Sequence, residues 1–364
     1  MFHPSDVIPV SIVTGFLGAG KSTLLNRLLH APALSDAAVI INEFGEVGID
    51  HMLVETSGEN VVELSNGCLC CTVRGELIDT LADLLDKAQT GRIKPFSRVI
   101  IETTGLADPV PVLKAVMAHP AIAATFRVDG VVTLVDAISG LKTIETYDEA
   151  ARQAAVADRL VMTKTDLVDE DTVSKLRSRL SAINPMAEIV DVNDEIASRP
   201  TLLVAGLFDP ESKPENVGEW LSNADTGHHH HHHHDVNRHG EHIRAFALQT
   251  GPVDSLSTIQ AFLQRLAAQY GEKLLRIKGT VAVSNADAPF VVHGVQETVY
   301  PPRRLKSAGE DDKGNTRLVV ITRDLREADV RDLFDAFLNN PVIDRPDRAA
   351  LEDNPLSAFG FKLG

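Results

Sequence analysis

Residues 15 to 22, Gly-Phe-Leu-Gly-Ala-Gly-Lys-Ser, match the phosphate-binding pattern G-x-x-x-x-G-K-[ST] in full. The match follows an apolar run that predicts a buried strand and precedes a predicted helix, as this loop requires. Its glycines let backbone N–H groups turn towards the β-phosphate, and the helix N-terminus adds the positive end of its dipole. We expect Lys21 to reach the β- and γ-phosphates and the Ser22 hydroxyl to bind Mg²⁺. The nucleotide-binding residues predicted in this loop are Gly15, Gly18, Ala19, Gly20, Lys21, Ser22 and Thr23.

A second motif, Thr163-Lys164-Thr165-Asp166, follows an apolar run and predicts recognition of the nucleotide base. Asp166 can accept hydrogen bonds from N1–H and the 2-amino group of guanine, whereas adenine has neither donor. Because each buried polar group left unpaired costs about 1–3 kcal/mol, such a carboxylate favours GTP over ATP. The aliphatic stem of Lys164 is expected to cover the face of the base. A surface turn without a ligand is the alternative interpretation.

Carboxylates follow two further apolar runs, at Glu102-Thr103-Thr104-Gly105 and at Asn42-Glu43-Phe44-Gly45. We expect Glu102 to contact Mg²⁺ through water and the Gly105 N–H to sense the γ-phosphate. Glu43 leads into a glycine-rich stretch that runs to Asp50, the expected location of a switch segment. Glu43 and Asp50 are candidates for binding Mg²⁺, for positioning water or for binding a second metal; alternatively, each is a solvated loop acid. The catalytic residues predicted are Lys21, Glu43, Glu102 and Gly105.

The three cysteines of the chain, Cys68, Cys70 and Cys71, fall within four residues. An odd, tightly spaced set points to metal or redox chemistry rather than to structural disulfides. A helix is predicted from Arg74, and thiolates near a helix N-terminus are favoured by its dipole. Three thiolates suit zinc, Cu(I) or a similar ion, with Glu43, water or a partner's ligand in the fourth position. Three buried small residues without metal and a redox-active dithiol are the alternatives.

Nine of the 14 histidines lie between His228 and His242, and seven are consecutive: His228, His229, His230, His231, His232, His233 and His234. A purification tag has this composition, but tags occupy termini and this run is internal. We interpret it as a native tract whose imidazoles bind divalent ions loosely, as a reservoir or sensor.

The order of apolar runs and helical stretches predicts two domains. Strands alternate with helices over about the first 205 residues, which predicts a doubly wound α/β domain with a mostly parallel sheet. Its predicted strands cover 7–14, 38–41, 98–101, 130–135 and 159–162, and its helices cover 22–30, 74–87, 110–117 and 172–183. Strands at 243–249, 278–284, 290–295 and 317–322, with helices at 255–270 and 327–337, predict a smaller α+β domain. We therefore expect a P-loop domain at 1–208, a flexible His-rich linker at 209–241, the α+β domain at 242–340 and a tail at 341–364.

Composition excludes several classes of protein. The net charge of −16 and the pI near 5.3 disfavour nucleic acid and anionic membranes as partners. No apolar run approaches the roughly 18 residues of a membrane span, and the N-terminus has no signal-peptide pattern. We expect a cytoplasmic protein with no nucleic-acid or membrane partner.

Taken in order, GFLGAGKST, INEFGEVGID, NGCLCCTVRGEL, ETTGLADP and the T-K-x-D motif resemble the CobW and nitrile hydratase activator family of SIMIBI-class P-loop GTPases. The resemblance is strong from Ile8 to about Ala205, and weaker in the family's C-terminal domain at LLRIKG (274–279) and VHGV (292–295). It implies GTP, Mg²⁺ and zinc or cobalt as ligands, with the metal on Cys68, Cys70 and Cys71. The chain has Thr163 where that family has Asn, which implies weaker nucleotide binding with the same base preference.

These observations favour a GTPase that carries zinc, or a similar divalent metal, to client metalloproteins under control of the GTP cycle, as a monomer or homodimer. A metal-sensing regulator or activator of the cobalt/cobalamin or nitrile hydratase type, which does not hand metal over, is the first alternative. A P-loop small-molecule kinase would prefer adenine or require an acceptor. A thiol oxidoreductase would keep its activity after Lys21→Ala.

Overall fold

The computed structural model describes residues 7–42, 61–64, 72–203, 242–305 and 314–338. In these ranges the chain forms an α/β domain followed by an α+β domain. The first domain contains the strands β1 (Ile8–Gly15), β2 (Ala37–Asn42), β3 (Val61–Leu64), β4 (Arg98–Glu102), β5 (Phe126–Asp136), β6 (Arg159–Thr163) and β7 (Glu188–Asp191). Its helices are α1 (Lys21–Leu29), α2 (Thr72–Gln89), α3 (Val110–Ala118), α4 (Pro120–Ala123), α5 (Gly140–Thr146), α6 (Asp148–Val156) and α7 (Glu170–Ile183).

The seven strands form one sheet in the order β3-β2-β4-β1-β5-β6-β7, and every described pair is parallel. Parallel strands are buried on both faces, which explains why β1, β4 and β6 are runs of apolar residues without polar alternation. Neighbouring β1 residues show the two faces: Ile12 packs with α2 and α3, while Val13 packs with α1. The prediction of a doubly wound α/β domain is confirmed.

The second domain contains β8 (Ile243–Thr250), α8 (Leu256–Tyr270), β9 (Leu274–Val281), β10 (Phe290–Val295), β11 (Thr298–Val299), β12 (Arg303–Arg304), β13 (Thr316–Arg323) and α9 (Glu327–Phe337). Its sheet is antiparallel in the order β11-β10-β9-β13-β8, and β12 pairs with β10. The predicted α+β domain is therefore confirmed. The strand expected at 278–284 begins four residues earlier, at Leu274. Its first residues were not predicted as strand because Arg276 and Lys278 interrupt the apolar pattern.

Both faces of the second sheet are covered. On β13, Leu318 and Val320 pack with α8 and α9, while Val319 and Ile321 join the core that contains α6 and α7 of the first domain. This period-two alternation of two apolar sets is what a strand buried on both faces requires. One face of the second sheet is therefore covered by α8 and α9, and the other face packs on the α/β domain.

Charged groups are buried where the domains meet. Asp158 receives hydrogen bonds from Arg276 and from Lys278, the latter at 3.3 Å, and its second oxygen accepts the Val131 N–H at 2.9 Å. Burial alone would raise the pKa of Asp158, but the charges of Arg276 and Lys278 lower it below its usual value. Burial lowers the pKa of Lys278 to about 8. Asp158 is thus a buried carboxylate held ionised by cations of the other domain.

Within the described residues, no helix combines the length and apolar character needed to cross a bilayer.

Candidate nucleotide-binding site

The phosphate-binding loop joins β1 to α1, as predicted. Gly15, Gly18 and Gly20 all have positive φ (141°, 73° and 92°), a backbone conformation that residues with a Cβ rarely adopt. A Cβ at Gly15 would lie only 2.5 Å from the Leu134 carbonyl oxygen on β5. The loop can therefore turn so close to the sheet only with glycine at its first position.

Lys21 lies in the first turn of α1 and is buried, with 8% of its surface exposed. Its Nζ donates to the carbonyl oxygens of Gly15 and Phe16, at 2.9 and 3.3 Å. The ammonium group is thus held within the loop rather than extended into solvent. A phosphate seated in the loop would meet this charge together with the N–H groups of the first turn of α1.

Ser22, in the first turn of α1, and Glu102, at the end of β4, lie close together. The Ser22 hydroxyl lies 3.4 Å from Glu102 Oε1, and Glu102 is only 3% exposed. A hydroxyl and a carboxylate beside a phosphate-binding loop form the hard-oxygen donor set that Mg²⁺ prefers. The residues predicted for magnesium therefore fit that ion.

The loop after β4 runs against the phosphate-binding loop. Thr103 donates through its hydroxyl to Thr14 Oγ1 at 2.7 Å and through its N–H to the Val13 carbonyl at 3.0 Å, which fixes the start of the loop on β1. At Gly105, a Cβ would lie 2.6 Å from the backbone nitrogen of Leu17. Glycine is needed here because two backbones approach closely.

The T-K-x-D motif follows β6, at the same edge of the sheet. The Thr163 hydroxyl is buried and donates to the Ala19 carbonyl oxygen at 2.8 Å, so this residue ties the motif to the phosphate-binding loop. Lys164 has φ of 57° and donates to Asp136 Oδ2 at 2.5 Å. Asp166 is exposed and therefore accessible to a ligand.

Sequence reasoning missed Asp136, which ends β5. Its second carboxylate oxygen accepts the N–H groups of Ile138 and Ser139, at 2.7 and 3.3 Å, so Asp136 fixes both its own turn and the side chain of Lys164. The signal was available, since Asp136 is an acid at the carboxyl end of an apolar run, as Glu102 is. It also missed Asn193, after β7, which donates to Thr165 Oγ1 at 3.1 Å.

Several predicted residues lie outside the described ranges: Glu43, Asp50, the cysteines Cys68, Cys70 and Cys71, and the histidines from His228 to His234. Among the residues that are described, no group of three His, Cys, Asp or Glu side chains could hold a metal ion. The metal site predicted from the cysteines stays a prediction.

Two family models match the chain in sequence. "CobW/HypB/UreG, nucleotide-binding domain" matches residues 9–191, and "Cobalamin synthesis protein cobW C-terminal domain" matches residues 243–338. The matched ranges coincide with the α/β and the α+β domain.

Similar proteins extend over nearly the whole chain. The zinc chaperone YjiA of Escherichia coli (strain K12) is 34% identical over 328 residues, which is 90% of this chain and 98% of that protein. The zinc chaperone CobW of a Sinorhizobium species is 31% identical over 364 residues, covering 91% and 97% of the two chains. The crystal structure of Zn(II)-bound YjiA GTPase from E. coli superimposes with a TM-score of 0.64 and 26% identity, over 91% of this chain and 99% of that one.

Proposed function

Since this chain belongs to the CobW/HypB/UreG family and is a P-loop GTPase with a CobW C-terminal domain, we propose that it is a metallochaperone. In this proposal it binds zinc at Cys68, Cys70 and Cys71 and delivers it to client metalloproteins under control of GTP hydrolysis. Its similarity to two proteins named as zinc chaperones supports zinc as the cargo.

The described side chains support specific roles in hydrolysis. Lys21 would bind the β- and γ-phosphates, and Ser22 and Glu102 would hold Mg²⁺, which supplies positive charge against the phosphate oxygens. The Gly105 N–H would face the γ-phosphate from the loop that packs on Leu17. Asp166 would read guanine, while Lys164, held by Asp136, would cover the base.

The register of the sheet supports a link between the nucleotide site and the proposed metal site. Leu64, the last residue of β3, pairs with Asn42 of β2, and the preceding residue of β2 pairs with Glu102 of β4. Neighbouring strands lie about 4.8 Å apart, so Leu64 is about 10 Å from the end of β4. Cys68 follows four residues later, within a reach of about 14 Å. The short sequence separation between Leu64 and Cys68 supports the proposal that the cysteines lie near the edge of the sheet that carries the nucleotide site.

The short distance in sequence between β3 and the cysteines supports coupling between the two ligands. If GTP and the metal order the same loops, each raises the affinity of the other by the same factor. Hydrolysis would then weaken the thiolate site, whose fourth ligand we propose to be Glu43, water or a residue of the client. The seven histidines from His228 would bind further ions loosely, as a reservoir or sensor.

Release of zinc provides the test. Zinc-loaded protein is mixed with a fluorescent zinc chelator, and release is followed after addition of Mg²⁺ with GTP or with a non-hydrolysable analogue. GTP is expected to accelerate zinc release from the wild type. No acceleration is expected when the wild type is given the analogue or when Lys21→Ala is given GTP. Equal release rates in all three mixtures would refute the proposal. A matched variant, Cys70→Ser, should hold less zinc before nucleotide is added.

A further inference from the structure

Gln153 is a buried carboxamide in α6, with only 1% of its surface exposed. Its Nε2 donates to two carbonyl oxygens of the loop after β4, those of Gly105 at 3.2 Å and Ala107 at 2.9 Å. Both N–H bonds of the amide are used on this loop. The preceding residue, Arg152, pairs with Asp108 of the same loop at 3.2 Å.

The loop after β4 is thereby held from two sides, by the phosphate-binding loop and by α6. On one side Gly105 packs against the backbone of the phosphate-binding loop, where not even a Cβ would fit. On the other side Gln153 holds the carbonyl group of the same residue. The Gly105 carbonyl shares its peptide plane with the N–H of Leu106. Because this plane is held at the carbonyl and the Cα of Gly105 is packed, rotation about the backbone bonds of Gly105 is restricted, and with it the direction of the Gly105 N–H.

The helix that carries Gln153 is itself held firmly. Its alanines pack in the core shared by the two domains. Arg276 of the second domain donates to the Val156 carbonyl at the end of α6, and Arg323 donates to Asp148 at its beginning, at 2.6 Å. The backbone carbonyl of Gln153 also accepts a hydrogen bond from the Thr133 hydroxyl of β5 at 2.8 Å. Gln153 is therefore mounted on a helix anchored at both ends, as precise positioning demands.

From this geometry we infer that Gln153 is a positioning residue for GTP hydrolysis. It acts through the main chain of Gly105 and Ala107, which it holds in the place where Gly105 can face the γ-phosphate. The inference rests on the role proposed above for Gly105. GDP has no γ-phosphate, so loss of Gln153 should affect hydrolysis and leave GDP binding intact.

The variant Gln153→Met keeps the length of the side chain and removes both donors. We expect its GDP affinity to stay within about twofold of the wild type and its rate constant for hydrolysis to fall on the order of 10-fold to 100-fold, the usual effect of a misplaced catalytic group. Hydrolysis is measured in single-turnover reactions with Mg²⁺ and no zinc, GDP affinity with a fluorescent analogue, and folding by thermal denaturation. If Gln153→Met does not fold, the milder Arg152→Gln is expected to show the same pattern to a smaller extent.

Asn184 offers a matched control. It is also a buried carboxamide, and its Nδ2 donates to Ala154, Ala155 and Ala157 at the end of α6, at 2.9–3.1 Å, without contacting the loop after β4. Because Asn184 supports only the end of the same helix, Asn184→Ala should lower stability and slow hydrolysis far less than Gln153→Met does. Wild-type hydrolysis by folded Gln153→Met would overturn the inference, and so would equal slowing by Asn184→Ala. Because zinc is absent from these assays, a failure of metal delivery would leave their result unchanged.

Discussion

The hydroxyl of Thr163 offers a sharp test of how the base motif supports the phosphate-binding loop. It is buried and donates to the Ala19 carbonyl oxygen at 2.8 Å. In Thr163→Val a methyl group replaces the hydroxyl at nearly the same volume, so the carbonyl loses this donor while packing is kept. Leaving a buried carbonyl unpaired costs about 1–3 kcal/mol. Because Ala19 lies inside the loop, we expect GDP and GTP to bind roughly 5-fold to 150-fold more weakly.

A threonine outside the nucleotide site provides the comparison. In the second domain the Thr316 hydroxyl bonds both the carbonyl and the N–H of Ala282, at 3.3 and 3.1 Å. Nucleotide affinity is measured by calorimetry and stability by urea unfolding for Thr163→Val, Thr163→Ser and Thr316→Val. Thr163→Ser should bind like the wild type, and Thr316→Val should lose stability only. If Thr163→Val binds GDP as tightly as the wild type does, the loop does not depend on this hydrogen bond and the reasoning fails.

Two further results are expected. Gly105→Ala would place a Cβ 2.6 Å from the backbone of the phosphate-binding loop and should slow GTP hydrolysis at least tenfold. Gly75→Ala, at an exposed position of α2 with nothing near its Cβ, should instead raise stability by about 0.5–1 kcal/mol. Equal hydrolysis rates for the two variants in a phosphate-release assay would refute the steric argument. Burial and the charge of Arg276 hold the pKa of His293 well below its usual value. As the pH falls below about 6.5, the His293 imidazole is therefore protonated in the unfolded chain but not in the folded one. The free energy of unfolding should then drop by up to about 1.4 kcal/mol per pH unit. In urea titrations between pH 7 and 5, His293→Phe, which preserves the ring stacked on Tyr300, should reduce that slope; an unchanged slope would contradict the assignment.

The phosphate-binding loop and the motif at Glu102 could be predicted from sequence because their chemistry depends on local spacing. A strand, a glycine turn and a helix N-terminus follow one another along the chain, so the contact between Ser22 and Glu102 needs only the parallel order of β1 and β4. The strands β1, β2, β4, β5 and β6 were predictable for the same reason, since each contains a short apolar run bounded by polar residues. The strands β3 (VVEL) and β7 (EIVD) were not predicted, because only three and two of their residues are apolar.

The contacts that sequence reasoning missed depend on tertiary structure. Helix α6 is rich in alanine and almost wholly buried, so it has no clear polar face to indicate a helix. The role of Gln153 depends on a contact across 46 to 48 residues. The start of β9 was misplaced because Arg276 and Lys278, which look like surface residues, are buried against Asp158 of the other domain. Such pairs become visible only when the two domains are brought together.

The central claim is that the metal and the nucleotide affect each other's binding. It is tested most directly by the zinc affinity of the full chain, determined by competition with a chelator in the presence of Mg²⁺ and either a non-hydrolysable GTP analogue or GDP. The account predicts tighter zinc binding with the analogue, by a factor of about 5 to 150, and loss of that difference in Cys70→Ser. Equal zinc affinities in the two nucleotide states would contradict it.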